Sequence, residues 1–559
     1  MNTERLLAHY EKIADAPDAI PRLRRFVLDL AVRGKLVPQD PNDEPASELL
    51  KRIAAEKARL VKAAEIRPSK DIPPLEEVPF PLPSSWRWSQ MAEIGLLSPR
   101  NEAPADQLAS FIPMPLIPAE YGSAHGQEVR PWGTLKKGYT HFADGDVGLA
   151  KITPCFENGK STIFRNLVGG IGAGTTELHI VRPIFVDANY LLIFLKSPHF
   201  IETGIPRMTG TAGQKRVPFE YFAYSPLPLP PLAEQRRIVA KVDELMALID
   251  RLEAARQTRE AARDKLTAAS LARLNAPDPD TFSDDARFAL DALPALTARA
   301  DQIKHLRQTI LNLAVRGKLV PQDPNDEPAS ELLETIASFK EQNANGRARR
   351  RSEHIQLLEG ENAPFDLPSG WVWVAFGNIV LSRDGERIPV SKEERNRRAK
   401  IYDYYGASGV IDKIDNYLFD KPLLLIGEDG ANLINRSTPI AFIARGKYWV
   451  NNHAHVLDGP SEEFLRYLEL FINAIDLKAY VTGTAQPKMN QAKMNSIPVA
   501  LPPLAEQRRI VAKVDELMAL CDRLEAILVT ADESRRRLLE ALLAEALAPD
   551  AERELEAAE

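Results

Sequence analysis

Two stretches of this chain are written twice. LPPLAEQRRIVAKVDELMAL fills Leu229–Leu248 and recurs unchanged at Leu501–Leu520; LAVRGKLVPQDPNDEPASELL fills Leu30–Leu50 and recurs at Leu313–Leu333. The order is B, A, B′, A′, with B the LAVRGK block and A the LAEQRR block. A repeat spaced at about half the chain length indicates a duplicated half-molecule, not a short-period solenoid. At 559 residues the chain exceeds what one core serves, and about two to four domains are expected.

Each B–A pair encloses a segment that the other pair does not copy. Insert one runs over 80–228 and insert two over 364–500; both open on a Pro-x-x-Trp-x-Trp phrase (Trp86 and Trp88, Trp371 and Trp373) and close on TGTA (Thr209–Arg216, Thr482–Asn490). Every aromatic except Tyr10, Phe26, Phe282, Phe288 and Phe339 lies inside the inserts. Insert one holds 13 basic and 12 acidic residues and insert two 16 of each, so of the net charge of −7 the inserts carry +1 and the frame −8. The acidic total therefore does not argue against nucleic-acid binding by the inserts.

The A block reads as a helix beginning after Pro230 and Pro231. Ile238, Val242, Leu245, Ile249 and Leu252 step at the spacing of a coiled-coil seam, repeated by Ile510, Val514, Leu517, Cys521 and Leu524. About 40 residues of helix span roughly 60 Å, longer than one turn of B-DNA at about 34–36 Å. Copy one loses its clean seam at Arg256 and Arg263 and is expected to stay helical while changing face. The B block follows a shorter helix (Leu23, Val27, Leu30; Leu306, Ile310, Leu313), with Gly34 or Gly317 as its C-terminal cap and Ser47 or Ser330 as the cap of the next helix. Residues 275–300 form a Pro/Asp-rich joint. Block order suggests that A packs with B′ and A′ with B, a pseudo-twofold arrangement. The inserts, with short β-branched runs beside helices such as SEEFLRYLELFINAI, complete a mixed α/β class.

Catalytic motifs are absent. ENGKS (Glu157–Ser161) has Pro154 where a phosphate loop needs glycine. His453 and His455 have no further ligand at zinc spacing, and DPNDE lacks a calcium loop's length and glycine. Cys155 and Cys521 form neither a disulfide framework nor a metal set, which fits a cytoplasmic location. No apolar run could span a membrane, and the N-terminus has no apolar core of a secretion signal. No cofactor is expected on this chain.

Binding signals are better. Thr211, Gln214, Lys215 and Arg216 close insert one; Thr484, Gln486, Lys488 and Asn490 close insert two. Gln and Asn can pair with adenine and Arg with guanine, while Lys neutralises phosphate. Lys151, the basic run bearing Arg395 and Arg397, Tyr404 and Ser408 in YYGASG, and Asn452 and His453 are further candidates.

The pattern resembles the specificity subunit of type I restriction-modification systems. The resemblance spans nearly the whole chain and rests on PLPPLAEQRRIVAKVDEL after each insert, the Trp-x-Trp starts, the ends with Gly483, Thr484, Gln486 and Lys488, and YYGASGVI, GEDGANL and YWVNNHAHVL in insert two. Insert one departs by an extra Gly213. The resemblance implies a helical N-terminal region (1–79), a target-recognition domain (80–228), a helical spacer (229–363), a second target-recognition domain (364–500) and a C-terminal helix (501–559). The two α/β domains would be separated by long antiparallel coiled-coil helices. Each would read one half of an asymmetric, bipartite site on double-stranded DNA. The frame would set the spacing and dock methyltransferase subunits, two by symmetry, with restriction-translocase subunits added. S-adenosylmethionine, ATP and magnesium would bind those partners, leaving this chain non-catalytic. The rival readings are a duplicated protein adaptor and a single-chain methyltransferase or nuclease.

Overall fold

The computed structural model describes residues 15–548, except 67, 69, 70, 76, 212, 344–354, 359–363, 484 and 485. The chain divides into two compact units: Met1–Arg259 with Ala531–Glu559, and Glu260–Thr530.

In the first unit the frame helices are α1 (Ala19–Val32) and α2 (Ala46–Lys62), the insert carries α3 (Ala188–Lys196), and α4 (Leu232–Asn275) begins after the proline pair. Their counterparts in the second are α5 (Ala300–Val315), α6 (Ala329–Asn343), α7 (Glu462–Ala474) and α8 (Leu504–Leu547). Both α4 and α8 run 44 residues. Gln235 and Gln507 close their first turns by donating to the Pro230 and Pro502 carbonyls, at 2.9 Å each.

The seam residues are at work where periodicity put them. Ile238, Val242 and Ile249 are buried in one apolar cluster with Val27 and Leu28 of α1 and Tyr190 and Leu191 of α3, with Leu245 and Leu252 against its edge. Ile510, Val514 and Cys521 are buried in the equivalent cluster with Ile310 and Ala314 of α5, flanked by Leu517 and Leu524. Each such burial contributes roughly 1.5–3 kcal/mol.

The later turns pack differently. In the second unit, Leu271 and Leu274 of α4 are buried with Ala289 and Leu296, and Gln302 of α5 donates to Thr267 at 3.2 Å. In the first unit, Leu539 and Leu542 of α8 are buried with Ala16 and Ala19, and Ala546 with Phe26 and Leu30 of α1. Block order paired A only with B′. In fact each A helix serves its own B helix with its first half and the other B helix with its second. At about 66 Å, a 44-residue helix outruns any 14- or 16-residue partner. The 275–300 joint is likewise no mere linker, since it forms a helix (Phe282–Asp291) beneath α4.

Two caps differ in outcome. Gly34 and Gly317 have φ of 69° and 66°, and a Cβ there would meet Pro83 Cγ or Pro368 Cγ at 2.5 Å, so glycine serves both the turn and the close approach. Ser47 and Ser330 are not caps. The helices already start at Ala46 and Ala329, whose N–H groups donate to the carbonyls of Ser85 (3.0 Å) and Gly370 (2.9 Å), just before Trp86 and Trp371.

Each insert contains two four-stranded sheets. The first holds β1 (Gly95–Leu97), β2 (Leu108–Ile112), β3 (Glu128–Pro131), β4 (Thr140–Ala143), β5 (Val147–Ala150), β6 (Ser161–Ile163), β7 (Ile171–Gly174) and β8 (Leu178–Pro183). The second holds β9 (Leu381–Ser382), β10 (Tyr402–Gly406), β11 (Gly409–Ile414), β12 (Phe419–Asp420), β13 (Leu423–Gly427), β14 (Ala441–Ala444), β15 (Lys447–Val450) and β16 (Ala454–Asp458). Sheet orders β1-β8-β5-β6 and β3-β2-β7-β4 are matched by β9-β16-β13-β14 and β11-β10-β15-β12. Among the described residues, the parallel pairing in each insert also corresponds, β2 with β7 and β10 with β15. A ribbon of Arg87–Ser89 with Leu227–Leu229 closes insert one, and Val372–Ala375 with Pro498–Leu501 closes insert two.

Candidate nucleic-acid interface

The residues that flank the TGTA phrases pair in equivalent ways on equivalent strand ends. In the first unit Thr209 and Arg216 exchange backbone bonds of 3.0 and 2.8 Å, and Val217 N–H donates to the Lys151 carbonyl at 2.8 Å, one residue past β5. In the second, Thr482 and Lys488 exchange bonds of 2.8 Å, and Met489 N–H donates to the Glu428 carbonyl at 2.8 Å, one residue past β13. The registers β5/β8 and β13/β16 therefore equate Lys151 with Glu428, His179 with His455 and Val217 with Met489. The extra Gly213 is taken up at φ +77° without displacing either base.

Thr211, Gln214 and Lys215 are exposed on the first loop, with Lys151 half-buried at its base; Gln486 and Lys488 are exposed on the second. Thr484 lies outside the described residues. Lys488 pairs with Glu428 at 3.2 Å. His453 and Asn452 are exposed just before β16, and His453 meets Asp429 at 2.8 Å. Asp429 bridges to Lys488, so His453 stands beside the second loop. Ser408 is exposed in the β10–β11 turn and Arg397 on the surface after helix Lys392–Asn396.

Four candidates are corrected by their surroundings. Tyr404 is 1 % exposed and its hydroxyl accepts from Val390 N–H at 3.0 Å, so it is core. Arg395 donates to Asp412 at 2.8 Å and stacks 4.5 Å above the Tyr404 ring; it pins that core. Arg216 holds Glu177 through Nε and Nη2, with two bonds of 2.8 Å, and bonds the Gln214 carbonyl through Nη1 at 3.1 Å, so most of its fork is engaged within the protein. Asn490 Oδ1 accepts from Lys493 N–H at 2.9 Å as a helix cap, so its amide is not free for two-point pairing with adenine. The charge of Lys400 and Arg395 together holds the Asp412 carboxyl well below the usual carboxylate range.

Of the two imidazoles beneath the loops, sequence reasoning weighed His455 only when setting aside a zinc site and did not name His179. His455 is buried; its Nδ1 lies 2.6 Å from Asp384 Oδ2 and its Nε2 2.9 Å from the Met489 carbonyl. Burial acts to lower its pKa, but Asp384, the Met489 carbonyl and Glu428 outweigh it and the net shift is upward. His179 is also buried, with Nε2 3.1 Å from the Val217 carbonyl. Burial there prevails and brings the pKa down to about 4. The signal was a histidine set in apolar strand text in both inserts, Leu178–Val181 (LHIV) and Ala454–Leu457 (AHVL). Among the described residues no group of three or more His, Cys, Asp or Glu could hold a metal ion.

A duplicated helical frame carrying two topologically matched, sequence-divergent α/β inserts with exposed polar loops defines the structural class. The comparisons narrow that class. A family model described as type I restriction modification DNA specificity domain matches residues 368–529. The type I restriction enzyme EcoEI specificity subunit of Escherichia coli is 39% identical over 558 residues, 94% of either chain. The EcoAI specificity subunit of the same species is 39% identical over 551 residues, covering 94% of this chain and 93% of that one. A solved chain from work on complex assembly and conformational transition of the type I R-M system aligns at TM-score 0.49 and 17% identity, over 84% of this chain and 100% of that one. The chain belongs to the type I restriction enzyme specificity subunits, the components of those systems that do not carry the catalysis. Among the described residues no helix is long and apolar enough to cross a membrane.

Proposed function

We propose that residues 80–228 and 364–500 are target-recognition domains, each reading one half of an asymmetric, bipartite site on double-stranded DNA. The frame, 1–79, 229–363 and 501–559, sets their spacing and docks two methyltransferase subunits, to which restriction-translocase subunits add in the cytoplasm. S-adenosylmethionine, ATP and magnesium bind those partners. The observation that carries this reading is the contrast between the shared topology and anchoring of the two TGTA loops and what they present: Gln214 and Lys215 are adjacent over a Lys151 base, whereas Gln486 and Lys488 are split by Pro487 over a Glu428 base. One scaffold with two sets of groove-reaching polar groups suits two unlike half-sites. The verbatim frame suits one kind of partner met twice.

The test is to map methylated bases in DNA modified by the assembled system, then replace 80–228 by the corresponding segment of a related subunit. One half-site is expected to change while the other and the methylated base within it persist. A change in both halves, or sequence-independent methylation, overturns the proposal.

A further inference from the structure

Beneath each TGTA loop lies a histidine that the recognition reading leaves without a task. Both imidazoles stand at the same register position, and both reach with Nε2 to the carbonyl of the residue that ends the loop, Val217 or Met489. A carbonyl only accepts, so each Nε2 must carry a proton. At His455 the other nitrogen faces a carboxylate oxygen, Asp384 Oδ2 at 2.6 Å. Both nitrogens then donate, and the ring is an imidazolium.

The first insert has no such carboxylate at that place. Ser98 and Arg383 make the same ladder bond, donating to the Ile180 and Val456 carbonyls at 2.9 and 2.8 Å. The next residue is Asp384 in one insert and Pro99 in the other. A neutral Nε2–H tautomer completes everything that His179 contacts. We propose that His179 and His455 are the positioning residues of the two DNA-reading loops, clamping them in opposite charge states, neutral in the first and cationic in the second. This rests on the reading of those loops as DNA-contacting.

The surroundings agree from every side. His455 faces Asp384 and, at 4.0 Å, Glu428; Arg387 bonds Glu428 at 2.9 Å and lies 3.5 Å from Asp384, and Lys488 bonds Glu428 from the loop. The carboxylates adjoin the ring, while the cations stand behind them. His179 instead has Lys151 nearby at the position of Glu428, with Glu177 and Glu220 opposing it, and it stacks on Phe222 with centroids 5.1 Å apart. Glu177 is itself consumed by Arg216. The loop-base charge is thus inverted between the two inserts, and the imidazole's protonation follows it.

The test uses the full chain with selectively labelled histidines and, separately, the chain assembled with its methyltransferase subunits. At about pH 7.5 the imidazole resonances are expected to show His455 doubly protonated and His179 singly protonated. His455 found neutral, or His179 found cationic, overturns the proposal without touching the recognition reading. In sequencing of methylated random duplex DNA, His455→Ala is expected to reduce selectivity at the second half-site about tenfold and leave the first intact, with His179→Ala doing the converse. Equal losses in both halves would mean a merely structural role. Asp384→Asn keeps a partner for a neutral ring; it is expected to turn His455 neutral at that pH while keeping second-half selectivity within about threefold. If the wild-type complex shows no selectivity, the recognition reading fails and the positioning claim with it, whatever the resonances show.

Discussion

At the scale of single residues, the inserts keep positions and exchange charges. Arg182 on β8 and Asp458 on β16 occupy the same register position. Arg182 bonds the fully buried Asp146 at 2.8 Å, whereas Asp458, itself 1 % exposed, receives Arg383 at 2.8 Å and Lys421 at 2.7 Å. Each arrangement satisfies its buried charge, so the fold tolerates either sign. The histidines carry this logic into pH dependence. His455 has a raised pKa, so the stability it contributes is complete below the ordinary value of 6.5 and is lost as pH rises through its folded value. His179 has a lowered pKa, so its contribution is complete above 6.5 and is lost as pH falls towards about 4. Urea unfolding followed by pulse-labelled hydrogen exchange should therefore show the gap between wild type and His455→Gln narrowing in β13 and β16 on going from about pH 6 to pH 9. A gap that widens contradicts the assignment. Sign inversion is also why the inserts' kinship was illegible in the sequence. Lys151 against Glu428 and Pro99 against Asp384 look unrelated until strand register aligns them, and Tyr404 and Arg395 looked like surface groups because chain order does not report what packs over them.

At the scale of elements, the verbatim repeats were fully legible, but their reason was not. The two blocks bond each other within each unit. Gln39 donates to Glu234 at 2.8 Å and Gln322 to Glu506 at 3.0 Å; Arg237 pairs with Asp43 at 2.6 Å and Arg509 with Asp326 at 2.5 Å. Glu506 also accepts from Trp371 Nε1 at 2.8 Å, tying the insert's first tryptophan to the start of α8. A change in B must then be matched in A, which constrains both texts whether or not a common partner does. Asp326 is largely buried while Arg509 is only part-covered, so Arg509→Ala strands a carboxylate and should destabilise the second unit by about 1–3 kcal/mol. Asp326→Ala should cost less, and the double variant no more than Arg509→Ala alone, because it removes the stranded carboxylate. Denaturant titration of the four proteins measures the coupling; simple additivity would show that the pair does not tie α8 to the connector before α6. The same cycle at Arg237 and Asp43 should return a similar value from the first unit, because the bonding is the same.

At the scale of the whole molecule, sequence order and structural membership part company. Periodicity found α4 and α8 and their seams, because one apolar stripe every three or four residues is a local signal. It did not find that each helix changes allegiance midway, since that depends on which distant helix the later turns meet. Residues beyond Thr530 belong with the chain's beginning, not with the unit immediately before them. Leu539 is fully buried there, with Ala16, Ala19 and Leu542. Leu539→Ala should therefore destabilise the first unit by about 2–5 kcal/mol, the range for a buried leucine replaced by alanine. The effect should appear as faster amide exchange in α1, more than five hundred residues away in the chain, while α5 and the opening turns of α8 through Cys521 keep wild-type protection. Leu271→Ala should do the reverse, loosening α5 and the 282–291 helix and sparing α1, although α4 opens in the first unit. If either variant instead loosened the unit in which its helix begins, the assignment of the later turns would be wrong. The single continuous helix would then have to be treated as one element with one set of neighbours.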